Sequence, residues 1–64
     1  MNLLTLQAYG VHGGEVVIVV ERITHFYPGE YNGRRGTVIV LDTGREVTVE
    51  ESVGVVRLAV GQAR

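Results

Sequence analysis

Short apolar runs separated by glycine-centred breaks occupy most of this chain, and their spacing predicts strands joined by tight turns. Residues 3–9 alternate loosely and meet no breaker before Gly10, which predicts a first strand. Residues 10–14 then form a turn, with His12 inside it, because glycine adopts positive φ without a Cβ penalty. Residues 15–20 follow as a second strand in which Val16, Val17, Ile18, Val19 and Val20 stand in unbroken succession. Successive strand side chains point to opposite faces, so both faces of this strand are apolar. A one-sided sheet would leave one of them in water, so a second layer, a helix or a neighbouring subunit must cover it.

A third strand over residues 23–27 is expected to stop at Pro28 and Gly29, since proline lacks the ladder N–H. On that reading His25 shares a face with Ile23 and Tyr27. Residues 29–36, GEYNGRRG, are the longest polar stretch, and Asn32 with Gly33 suits the tip of a type I′ hairpin. A fourth strand over 37–41, a tight turn over 42–45 and a fifth strand over 46–49 come next, with Val47 and Val49 inward and Glu46 and Thr48 outward. Ser52 reads as a helix N-cap, with Glu50 and Glu51 complementing the positive end of the helix dipole. Val53, Val56, Arg57 and Val60 share one face at helical spacing, which predicts a helix over 53–60 with Gly61 as its C-cap. Gly54 weakens that helix by about 1 kcal/mol relative to alanine, so it should form only by packing on the sheet. The expected fold is mostly β, a small α+β domain over residues 1–64. It has a four- to five-stranded antiparallel sheet or partial barrel and one short C-terminal helix.

Composition sharpens this in two ways. At 64 residues with no cysteine, the chain has neither a disulfide nor a thiolate metal site to support a small core, so close packing or oligomerisation must do it. Thirteen valines and only four aromatic residues favour strands, because a β-branched side chain suits the pleated surface. The formal net charge of −1 gives no global attraction to nucleic acid or anionic membrane. No segment has the pattern of a signal peptide or membrane span, so a cytoplasmic location without a membrane partner is expected.

The candidate chemistry is sparse. His12 and His25 lack the spacing that places two imidazoles on one element, so no metal site is expected. Ser52 has no nucleophile-elbow context, the acidic residues are dispersed, and GVHGG is not followed by the lysine of a phosphate-binding loop. The expectation is a non-enzyme without a cofactor. One stretch gathers recognition chemistry: Phe26, Tyr27, Tyr31, Asn32, Arg34 and Arg35 bring together aromatics that stack on bases and arginines that contact phosphate. The competing reading has the arginines solubilising a hairpin tip and the aromatics packing in the core or a subunit contact.

Three segments taken in order, ITHFYP, TVIVLDTGREVTV and ESVGVV, resemble the small FlbD-like proteins of bacterial flagellar gene clusters and similar short phage and bacterial chains. The likeness covers about half the chain and implies a strand, a loop, a hairpin and a helix start, with no catalytic motif. GEYNGRRG is an insertion relative to that pattern. A weaker similarity links the same order of elements to LytTR-type DNA-binding domains, without their length or basic C-terminal segment.

The function expected from these readings is a non-enzymatic structural or adapter module that self-associates as a homo-oligomer through the Val16–Val20 strand and binds a protein partner. The alternative is a nucleic-acid-binding regulator that uses the loop over residues 26–36, with Tyr27, Tyr31, Asn32, Arg34 and Arg35 as contacts.

Overall fold

The computed structural model describes residues 1–10, 13–31 and 33–63, the side chain of Tyr31 excepted. The expected type I′ geometry at Asn32 and the placement of His12 lie outside the described residues. Among the described residues, five strands and one helix follow in the order β1 (Leu3–Gln7), β2 (Glu15–Val19), β3 (Ile23–Tyr31), β4 (Arg34–Leu41), β5 (Glu46–Val49) and α1 (Val53–Ala63). A single 3-10 turn, Val20–Arg22, bends the chain from β2 into β3. All strand pairings are antiparallel: β1 pairs with β2, and β3, β4 and β5 form a meander.

The end of β1 joins the two sheets. Ala8 bridges Val49, the Tyr9 N–H donates to the Thr48 carbonyl at 3.0 Å, and the Glu50 N–H donates to the Gln7 carbonyl at 2.9 Å. The strands therefore succeed one another as β2-β1-β5-β4-β3, with β2 and β3 at the two edges. Their common inner face carries Leu6, Ile18, Val20, Ile39 and Val49, and α1 closes it with Val56 and Val60. Each such side chain contributes roughly 1.5–3 kcal/mol on full burial, which is how a helix containing Gly54 is held in place.

Several expectations are corrected. β3 does not stop at Pro28 but continues through Pro28 and Gly29 to Tyr31. An edge strand has one side without a ladder, and toward that side a missing N–H costs no bond. Arg34 and Arg35 accordingly lie in β4 rather than in the turn, with Tyr31 facing Arg34 across a two-residue tip. Gly33 at that tip and Gly44 in the β4–β5 turn have φ of 78° and 89°, the left-handed conformation that glycine adopts without strain. His25 does not share a face with Ile23. An extra residue in β3 between Ile23 and His25 shifts the register, so Ile23 is buried while His25 and Tyr27 face outward. The helix runs past Gly61 to Ala63, so Gly61 is not its C-cap, and Arg57 is exposed beside the buried Val56. No helix among the described residues is long and apolar enough to cross a membrane.

Candidate functional site

The ESVGVV segment forms a clamp at the β5–α1 junction. Ser52 Oγ accepts the Val55 N–H at 3.3 Å, the geometry of the expected N-cap. The Glu51 carboxylate does not cap the helix. Its two oxygens accept the Gln7 N–H at 3.1 and 3.0 Å, replacing the strand partner that β1 loses once β5 has ended. The Glu51 carbonyl accepts the hydroxyl of Thr37 at 2.7 Å, and Thr37 is fully buried. Each of these bonds satisfies a backbone or buried polar group, so the segment's side chains do structural work here.

Close packing also constrains β4. A Cβ at Gly36 would collide with the Val49 carbonyl and press on the ring of Tyr9. Only glycine lets the backbone approach this closely.

The aromatic and arginine residues grouped near the hairpin tip divide between two faces. By register, Tyr27, Gly29, Val38 and Arg34 share the outer face, whereas Phe26, Pro28, Glu30 and Arg35 continue the inner face defined by Ile39 and Thr37. Phe26 is half-buried against the core. Tyr27 faces Val38, four residues from Arg34 along β4, a separation of about 14 Å. The Tyr27 hydroxyl donates to Glu46 at 3.2 Å, and its ring stacks on that of His25 with centroids 6.3 Å apart. Desolvation, and then the negative charge and hydrogen bond of Glu46, raise the Tyr27 phenol above its ordinary value of 10.0. Arg35 lies 3.9 Å from Glu30 in a solvent-exposed ion pair. Asn32 and the Tyr31 side chain lie outside the described residues. Tyr27, Arg34 and Arg35 are therefore not brought into one binding surface, and an acid stands beside both Tyr27 and Arg35. Adjacency in sequence concealed this, because neighbouring strand residues point to opposite faces.

The valine run divides in the same way. Val16 and Ile18 face the core, and Val20 is fully buried but belongs to the 3-10 turn rather than to the strand. Val17 is 57% exposed on the outer face and Val19 is half-buried. Leu3, directly opposite Val19, is 55% exposed and extends this apolar surface onto β1. Its part was not read from the sequence, although the alternation of Leu3, Leu4 and Leu6 already placed it apart from its neighbours. A second apolar surface, on α1, was also missed: Val55 and Leu58 are exposed on the side away from the core. No group of three or more histidine, aspartate or glutamate side chains among the described residues is arranged to hold a metal ion. Set against family models, curated proteins and solved structures, the chain finds no match in any of the three.

Proposed function

We propose that this chain is a non-enzymatic cytoplasmic adapter or structural module that self-associates and presents its loops to a protein partner. The observation that carries this reading is the outer face of the β1–β2 hairpin, where Val17 and Leu3 are more than half exposed beside Val19. Nothing in the described chain covers that face, because α1 packs on the opposite side of the sheet. Apolar surface shared by two neighbouring strands is a recurrent mark of a protein interface, unlike a single exposed leucine. Sedimentation equilibrium at micromolar concentration is the test. A mass of two or more chains is expected, and a compact monomer persisting to about 100 μM would refute the reading.

A nucleic-acid-binding role would draw on His25, Tyr27 and Arg34, which share the outer face of β3 and β4. Its test is a mobility shift with mixed DNA and RNA that weakens as salt is added.

A further inference from the structure

The peptide groups of β2 point alternately to its two sides. The Val20 N–H donates to the Asn2 carbonyl at 2.8 Å, and the Ala8 N–H donates to the Gly14 carbonyl at 2.7 Å. Combined with the register Leu4↔Ile18 and Leu6↔Val16, these bonds direct the peptide groups of residues 14, 16, 18 and 20 toward β1. The N–H and C=O of Glu15, Val17 and Val19 consequently point along the outer edge, where no strand of the described residues pairs, and the Val19 C=O also serves as the N-cap acceptor of the 3-10 turn. The two edges of the fold are not equivalent. β3 carries Pro28 and a register irregularity, both of which obstruct further pairing, whereas β2 carries neither and presents consecutive β-branched residues.

We infer that two copies of this chain pair antiparallel along β2, about a two-fold axis through Val17. The inference rests on the self-association reading above and specifies its contact. In this register Val17 faces Val17 of the second copy, and Glu15 of each copy faces Val19 of the other. Each facing pair exchanges two backbone hydrogen bonds, with the Val19 carbonyl, which already accepts within the 3-10 turn, taking the Glu15 N–H of the other copy on its second lone pair. An isologous contact requires a self-complementary surface, and a five-residue strand centred on its middle residue provides one. Charge and shape agree with it. The two Glu15 carboxylates stand at opposite ends of the pairing, about 14 Å apart and beyond the screening length of about 8 Å. Beyond Glu15, the residues that meet the 3-10 turn of the other copy are Gly14 and Gly13, which carry no side chain to collide with it. On the outer face, Val17, Val19 and Leu3 of both copies join into one strip across the axis.

The experiment is amide hydrogen exchange of the wild-type protein, read by NMR over a concentration series, together with Val17→Pro. Amides of Glu15, Val17 and Val19 should gain protection as concentration rises, while those of Val16 and Ile18, already bonded to β1, stay protected throughout. Proline at position 17 removes an N–H that makes no bond within one chain, so circular dichroism should be preserved. Two bonds are lost across the axis, at about fivefold each, so dimer affinity should fall roughly thirtyfold. A wild-type oligomer in which the 15, 17 and 19 amides exchange freely at every concentration would overturn the edge pairing and leave self-association standing on another surface. A folded Val17→Pro that associates as tightly as wild type would do the same. A wild type that stays monomeric would overturn both readings. Should the proline variant fail to fold, the exchange series on the unmodified protein decides.

Discussion

Replacing Thr37 with valine tests the clamp that joins the sheet to the helix. The substitution keeps the side-chain volume and exchanges one hydroxyl for a methyl at a position with no solvent exposure. It deletes the 2.7 Å bond to the Glu51 carbonyl, whose net worth is about 1 kcal/mol. A carbonyl left without its donor at this part-buried junction adds a desolvation penalty of roughly 1–3 kcal/mol if no water reaches it. Burying a methyl in place of the hydroxyl offsets about 0.8 kcal/mol. The expected net destabilisation is about 1–3 kcal/mol, which in a domain of this size lowers the Tm by roughly 4–24 °C. Urea unfolding followed by circular dichroism, at one fixed protein concentration, should show a lower midpoint with an unchanged slope. Exchange should also accelerate first at the Glu50 and Val56 amides, which flank the clamp. A variant as stable as the wild type, or more so, would refute the idea that this hydroxyl holds the junction.

Three further outcomes follow from the same geometry. Gly36→Ala should destabilise the fold by about 1–3 kcal/mol, seen as a lower urea midpoint, because its methyl meets the Val49 carbonyl rather than a side chain that can move aside. Ser52→Ala removes the N-cap acceptor of the Val55 N–H and should cost about 1 kcal/mol, with loss of helical ellipticity below the main transition. Tyr27 should titrate above 10.0 in a 295 nm absorbance titration, and Glu46→Gln should lower its midpoint. Because folding raises this pKa, the associated stability is present below pH 10 and is lost as pH rises through the folded value.

The alternation of valines with turn residues, the left-handed Gly33, the 42–45 turn and the Ser52 cap were legible in the sequence because each depends on the chain's own neighbours. A β-branched run prefers extended backbone wherever it lies, and a serine before an apolar helical repeat caps the helix that follows. What depends on residues distant in sequence was not legible. Pro28 reads as a strand breaker, yet β3 passes through it because tertiary structure makes β3 an edge. Glu51 reads as a dipole partner for its own helix, yet it binds Gln7, 44 residues away in sequence. Tyr27, Arg34 and Arg35 read as one cluster, but a strand turns consecutive side chains to opposite faces, and the register of β3 against β4 decides which of them meet. Sequence alone determined that residues 16–19 would be apolar on both sides of a strand. Only the tertiary structure decided that Val16 and Ile18 face the core, that Val17 and Leu3 face solvent, and that the edge beside them is open. Local propensity acts through a residue's own backbone, whereas burial and strand order are set by which distant segments close over it.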